Sequence, residues 1–411
     1  MHEIVLEEVA YALASALDLV GIDDVQHGQR VALMASACAR HGGWSESRCQ
    51  ALMLGGLLHD CGVSSTQQHY RLVAELDWEG SQEHADRGAE LLSRVPLFAH
   101  LEPLVRWHHT HWPQLLQAGL PQEQALAANL IYLVDRADVL RAKHFYQEGQ
   151  EGILRRLTQH SGSLFCPDLL ELFEQVATSD AFWFQLEPWV LEDRFQPWLQ
   201  EGRHQLVSFD SLKSLGLMFA DVVDAKSPYT ASHSRGVAAL SLWLGERLAL
   251  SGRELEILEL AGLLHDLGKL RVEDDILAKP GPLSELEWRY MRQHSFDSAQ
   301  VLKRVGGFAE IATLAAMHHE TLDGMGYPYR LKGAAIPLAA RIIAVADIFQ
   351  ALVQDRPYRA AMAAGDALDQ LQQRVKQGKL DRRVVACLAQ DLPLAVKIAR
   401  QQPANGTARV L

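Results

Sequence analysis

The sequence predicts an all-α chain built from two copies of one helical domain. Three observations carry this. Apolar residues recur at three- and four-residue intervals, and the alternation that marks strands is absent. A set of histidines and aspartates in residues 1–145 returns at matching spacing in residues 208–380. The composition, 48% hydrophobic and 22% charged over 411 residues, is that of packed globular domains, with room for two or three of them.

In order along the chain, Ile4, Val5, Val9, Leu13, Leu17 and Val20 mark a first helix over about 4–20, broken by Gly21 and Asp23-Asp24. A second runs from about Gln26 to Ala39 and ends at His41-Gly42-Gly43. Ser45 starts a third, with Glu46 in its first turn, which carries Leu52, Leu54, Leu57 and Leu58 up to His59-Asp60. Pro96, Pro103 and Pro113 punctuate the helices that follow. We divide the chain into an N-terminal domain (1–145), a helical connector (146–207), a second domain (208–385) and a C-terminal tail (386–411). The connector holds Phe182, Trp183, Phe184, Trp189, Phe195 and Trp198 without a His-Asp pair, and we expect it to pack these rings between the two domains.

The repeat is specific. His27 and His59 are 32 residues apart, as are His233 and His265. His84 and His108 are 24 apart, as are His294 and His318. Each copy has a double histidine, His108-His109 and His318-His319, and each ends in an aspartate after an apolar run, Asp135 and Asp347.

The totals exclude some functions. A formal net charge of −12 argues against a nucleic-acid duplex as partner, since that needs a basic face. Five cysteines without a CxxC pair suit a reducing compartment, and we expect a cytoplasmic protein. The N-terminus has no basic segment of the signal-peptide kind, and no apolar run reaches membrane-spanning length.

In the second copy, His265-Asp266 interrupts an apolar helical pattern, where charge is costly unless paired, and a metal is a natural partner. Adjacent residues point about 100° apart on a helix, so His265 can serve one metal while Asp266 bridges to another. Lys269, four residues after His265, would lie one turn on and on the same face. His233, His265, Asp266, His294, His318, His319 and Asp347 are enough ligands for two divalent cations with positions left for water and substrate. Two such cations leave a positive surplus suited to a phosphate diester and generate a nucleophile from water. The nitrogen and oxygen donors, without sulfur, favour iron or manganese.

These residues resemble the HD-GYP phosphodiesterases. The resemblance rests on His265-Asp266-Leu267-Gly268-Lys269, His318-His319-Glu320, Asp323-Gly324-Met325-Gly326-Tyr327-Pro328, Ala346-Asp347 and Asp355-Arg356-Pro357-Tyr358-Arg359, and covers about 208–385. It implies an all-helical HD fold, a two- or three-metal centre and hydrolysis of a bacterial cyclic dinucleotide, cyclic di-GMP or 3′3′-cGAMP, to a linear dinucleotide. It makes the seven residues above the ligands, sets Lys269 beside Asp266 at the scissile phosphate, and gives Arg356 and Arg359 the grip on substrate phosphates. Gly326, Tyr327 and Pro328 would shape the pocket and serve docking of GGDEF-type diguanylate cyclases; a homodimer is compatible. Three-metal members carry Glu four residues before the first histidine; Tyr229 stands there, which favours two metals. The competing expectations are a non-catalytic receptor or docking scaffold, and a general HD nucleotide phosphohydrolase.

The first copy keeps His27, His59, Asp60, His84, His108, His109 and Asp135 as a second candidate metal site. It has no counterpart of Lys269, Thr110 replaces Glu320, and His111-Trp112-Pro113 replaces the Gly-Tyr-Pro loop. Either it binds metal, or these groups form a satisfied polar core. Cys61, beside Asp60, is either a further ligand or inert packing.

Overall fold

A computed structural model describes residues 1–20, 26–226, 233–355 and 360–400. They are overwhelmingly helical and divide into two compact units, Met1–Val207 and Ser208–Leu411. The all-α expectation holds, with one addition. His2–Val5 forms a short strand paired antiparallel with His204–Val207, in the register His2 opposite Val207. The first helix therefore begins at Leu6 and ends at Leu17. Ile4 and Val5, which fit a helical period, are buried from a strand instead, because four residues are too few to separate the two periods.

Residues 146–207 belong to the first unit and are not a separate connector. Its ring-bearing helices pack on that unit's own core: Phe195 lies against Tyr11 with ring centroids 5.1 Å apart, and the Trp198 indole donates to Gln50 Oε1 at 2.7 Å. Trp183 is buried and donates to the Ala177 carbonyl, whereas Trp189 is exposed. At the other end, Arg382–Ala389 and Leu392–Ala399 are helices of the second unit, and Arg400 donates to the Val353 carbonyl. The tail is thus folded as far as residue 400.

Each unit repeats one arrangement. In the first, helix His27–His41 crosses helix Glu46–Leu58; in the second, His233–Arg247 crosses Gly252–Leu264. At both crossings a glycine faces an alanine backbone, Gly56 on Ala32 and Gly262 on Ala238, where a Cβ would come within 2.6 and 2.9 Å of the alanine Cα. This close approach brings the first histidine of each copy to the end of the next helix, where the His-Asp pair stands. Capping boxes set two of the starts in the second unit: Ser251 with Glu254, and Ser284 with Glu287 ahead of helix Glu285–Leu302. Helices Gln122–Thr158 and Leu338–Val353 run through the two cores and carry Asp135 and Asp347. No described helix is long and apolar enough to cross a membrane.

Candidate metal centres

The second unit brings all seven candidate ligands together. His233, His265 and Asp347 offer ligand atoms within 4.8 Å of one another, and so do His294, His318 and His319. Asp266 lies between the two groups. Its Oδ2 faces His265 Nε2 at 3.2 Å and His233 Nε2 at 3.4 Å; its Oδ1 faces His294 Nε2 at 3.4 Å and His318 Nε2 at 3.8 Å. That is the disposition of a carboxylate bridging two cations.

One local device aims the imidazoles. His265 follows the last turn of its helix and donates Nδ1–H to the carbonyl three residues back, Gly262, at 2.8 Å. His294 and His318 do the same to Met291 and Ala315. His233 instead donates Nδ1–H to Gln350 Oε1 at 2.6 Å. Each bond fixes the tautomer and leaves Nε2 as the free base. His294 Nε2 and His318 Nε2 consequently face each other at 3.1 Å with a lone pair on each. Nε2 of His233, Nε2 of His265 and Oδ1 of Asp266 are buried without a hydrogen bond. Opposed lone pairs and orphaned buried acceptors are costly by themselves and are what a cation satisfies. Two donors about 2.1 Å from one metal stand roughly 3.0–3.4 Å apart at angles between 90° and tetrahedral, so the 3.1 Å separation fits.

Protonation agrees. Burial pushes His294 down to about 4; burial and the neighbouring His294 push His319 down to about 3; His318 also lies well below the usual range. These rings are neutral bases near pH 7, as ligation needs. His233 differs. Burial opposes its charge, but the carboxylates of Asp266 and Asp347, 3.4 and 3.3 Å from its Nε2, outweigh burial and raise it to about 9, so this ring has to give up a proton before it can ligate. Burial alone would raise Asp266, yet His265 and Lys269 hold it well below the carboxylate range.

The helical geometry expected around Lys269 needs correction. The helix stops at Leu264, with His265 as its cap, and a 3₁₀ turn follows over Leu267–Arg271. This turn, not a further α-turn, brings Lys269 Nζ to Asp266 Oδ2 at 2.5 Å. The Gly268 N–H donates to the Ser298 hydroxyl at 2.8 Å, which itself reaches the His265 and His294 carbonyls at 2.9 and 3.0 Å.

The ligands open into a cavity of about 390 Å³, within the usual range for small-molecule sites. Lys269, His319 and Tyr327 line it, as do Asp224, Lys279 and Trp288, which sequence reasoning did not single out as site residues. Asp224 carried a signal, since it lies nine residues before His233 as Asp18 does before His27; Lys279 and Trp288 carried none. Tyr327 stacks on His319, 4.7 Å between centroids, and also borders a second hollow of about 460 Å³ whose walls include Arg289, Arg292, Arg330, Gly326 and Pro328. Glu320 anchors the loop: its carboxylate accepts the Tyr329 N–H at 2.7 Å and the Leu331 N–H at 2.9 Å. Arg356, Arg359 and Tyr229 lie outside the described residues.

The first unit also gathers its set. Asp60, His84, His108 and His109 form one group and His27, His59 and Asp135 another. His59 and His108 donate Nδ1–H to Gly56 and Val105, repeating the device. Cys61 faces the Gly88 carbonyl, and burial pushes its thiol up to about 12, so it is packing. Asp138 and Arg136 were missed. Asp138 Oδ2 takes the His27 Nδ1–H at 2.8 Å, and Arg136 grips both oxygens of Asp135. Asp138 lies one turn beyond Asp135 on the same helix face, a spacing that could have flagged it. The cavity beside this cage is about 30 Å³.

Residues 25–142 match the HD domain family, and residues 217–384 match it again. Two HD domains in one chain, the second with a Gly-Tyr-Pro loop, define a class of metal-dependent phosphohydrolase. The 3′3′-cGAMP-specific phosphodiesterase 1 of Vibrio cholerae is 38% identical over 391 residues, 92% of this chain and 90% of that protein. The cyclic di-GMP phosphodiesterase response regulator RpfG of Xanthomonas campestris is 42% identical over 160 residues, 38% of this chain and 40% of that one. The crystal structure of a cyclic GMP-AMP specific phosphodiesterase of V. cholerae (V-cGAP3) superposes with a TM-score of 0.65 at 28% identity, covering 96% of this chain and 99% of that chain. The chain belongs to the HD-GYP cyclic-dinucleotide phosphodiesterases, in the tandem form whose N-terminal HD domain lacks the Gly-Tyr-Pro motif.

Proposed function

We propose that the second unit hydrolyses one phosphodiester of a cyclic dinucleotide, 3′3′-cGAMP ahead of cyclic di-GMP, and releases a linear dinucleotide. The observation that carries this is Asp266, set between two groups of ligands on the wall of a cavity that also presents Lys269. The preference for 3′3′-cGAMP rests on the relative that matches nearly the whole chain. His233, His265 and Asp347 would hold one divalent cation, His294, His318 and His319 a second, with Asp266 shared; iron and manganese suit these donors. When bound, the cations polarise the phosphate and lower the pKa of water.

The chain's own groups do the rest. Lys269 supplies positive charge at the scissile phosphate and a proton for the departing alkoxide. Lys279 adds charge to the cavity wall, and Trp288, partly exposed at its edge, offers a face on which a base can stack. The neighbouring hollow, joined through Tyr327, gives an elongated anion three further arginines. Glu320 holds the loop that separates the two spaces. Beyond it Met325 is 80% exposed, on the edge where a GGDEF-type diguanylate cyclase would dock, with a second copy of this chain as the competing occupant.

Chromatographic product analysis of iron- or manganese-loaded protein, with both cyclic dinucleotides side by side, tests the proposal. Linear pApG-type product formed faster than pGpG is the expected result. A His265→Ala, Asp266→Ala chain should bind without turnover. Tight binding by loaded wild type with no product from either substrate makes the protein a receptor.

A further inference from the structure

The ligand sets of the two units match residue for residue, so ligand identity alone makes both dinuclear. The surroundings of the last aspartate differ. In the second unit Asp347 is followed by Ile348, and its Oδ1 faces His233 Nε2 at 3.3 Å and His265 Nε2 at 4.0 Å. In the first unit Asp135 is followed by Arg136. Arg136 Nη2 donates to both carboxylate oxygens at 2.8 and 2.9 Å, and Nε reaches Oδ2 at 3.2 Å.

This guanidinium is pinned. Its Nη1 donates to the Leu72 and Glu75 carbonyls at 2.8 and 2.9 Å, and the residue is 3% exposed. Lys269 in the second unit also meets a ligand, Asp266, but from a side chain on the cavity wall that is 22% exposed and can withdraw. Arg136 has no such freedom. A fixed, permanent cation on Asp135 repels a divalent ion from that position. The other group is untouched: Asp60 Oδ1 faces His84 Nε2 at 3.1 Å, and His84 Nε2 faces His108 Nε2 at 3.3 Å, with His108 Nδ1 committed to Val105. Those separations suit donors on one metal. His109 Nε2 is buried without a hydrogen bond.

We infer that the first unit holds a single divalent first-row cation at Asp60, His84 and His108, with His109 beside them, and that the Arg136 guanidinium, by neutralising Asp135, keeps a second cation off His27, His59 and Asp135, although His27 Nε2 faces Asp135 Oδ1 at 3.3 Å there as well. A cavity of about 30 Å³, room for one water molecule, lies on the His27 and His59 side of the cage, and we give this metal a structural or regulatory role.

The test counts manganese in the full chain. With His265→Ala, Asp266→Ala, His294→Ala and His318→Ala emptying the second unit, one Mn(II) per chain should remain, and adding His84→Ala and His108→Ala should remove it. None or two in the first of these chains overturns the proposal. Arg136→Met in the same background should raise the count to two; an unchanged count overturns the role of Arg136. Should the substituted chains not fold, electron paramagnetic resonance of the Mn(II)-loaded wild type decides: one uncoupled Mn(II) per chain is expected, and its absence refutes the site. The difference between wild type and the chain with His265, Asp266, His294 and His318 all replaced by alanine reports the second unit separately, so failure of the two-metal reading there is told apart from failure here.

Discussion

Replacing Gly268 by alanine should disable the second unit from a position that touches neither metal nor substrate. An ideal Cβ at Gly268 lies 2.1 Å from the His294 carbonyl oxygen, 2.8 Å from its carbon and 2.9 Å from Asp297 Cβ. Carbon does not approach carbonyl oxygen much closer than about 3.2 Å, so the 3₁₀ turn and helix Glu285–Leu302 must part by about 1 Å. All three atoms belong to the middle of that helix or just beyond it, and none is a flexible tip that can yield. The shift carries His294 away from His318 and stretches the Gly268–Ser298 hydrogen bond. A 1 Å displacement of a ligand is worth about 10²-fold in turnover, and overpacking costs about 1–3 kcal/mol, or roughly 2–12 °C in Tm for a unit of this size. Metal content by mass spectrometry, turnover and calorimetry read these three effects. Gly252→Ala is the control, because its Cβ meets nothing within 4 Å. A Gly268→Ala protein with its full metal content and turnover within threefold of wild type would refute the claim that this contact sets the ligand spacing.

Further outcomes follow from the same geometry. Lys269→Met should lower kcat by about 10²–10⁴-fold at unchanged metal content; undiminished turnover removes Lys269 from the leaving-group role. Chelation should abolish turnover and destabilise the second unit by about 4 kcal/mol relative to metal at a thousandfold excess over Kd, read as a drop in its Tm; a melting curve indifferent to chelator contradicts the orphaned-donor reasoning. Glu320→Ala should free the Tyr329 and Leu331 amides and raise KM about tenfold with the metals retained, whereas unchanged KM excludes the loop anchor. Burial lowers Lys226, which donates to the Leu270 and Val272 carbonyls, from 10.5 to about 8. The unfolded chain then holds the extra proton between those values, so stability should rise with pH across that window by up to roughly 3 kcal/mol. Denaturant titrations at pH 7.5 and 10 should show this rise in wild type and lose it in Lys226→Met; an equal rise in both assigns it elsewhere.

What was legible in the chain was periodic or repeated. His233, His265, Asp266, His294, His318, His319 and Asp347 stood out because two copies keep the same intervals, and an interval is a property of sequence. What was not legible depends on where distant side chains meet. Gln350 orients His233 across 117 residues, and Ser298 ties the His265 and His294 carbonyls together; neither residue type announces such a task. The helix break at His265 was hidden because Leu267 and Leu270 continue an apolar pattern through a 3₁₀ turn and are buried as a helix would bury them. The strand at His2–Val5 was hidden for a related reason, its partner lying 200 residues away.

The two copies diverged by charge compensation more than by loss of ligands. The second unit supports its first histidine with a neutral amide, Gln350, and places Gly236 and Ile348 where the first unit has Arg30 and Arg136. The first unit answers His27 with a carboxylate, Asp138, which Arg30 meets at 2.7 Å and Arg141 at 3.0 Å. Buried ion pairs of this kind satisfy one another without outside help, but removing one partner strands the other. The first cage has therefore internalised positive charge beside Asp135 and Asp138, while Asp60 keeps its oxygens toward imidazoles. In the second, Asp347 faces imidazoles among the described residues, and once those ligate as neutral rings its compensation has to come from a bound cation. A site that depends on exogenous cations keeps open coordination positions, and those are what a phosphodiester needs. On the proposed function, catalytic capacity follows from leaving the second cage's carboxylates to be compensated by bound cations, whereas in the first cage Arg136 already takes up Asp135.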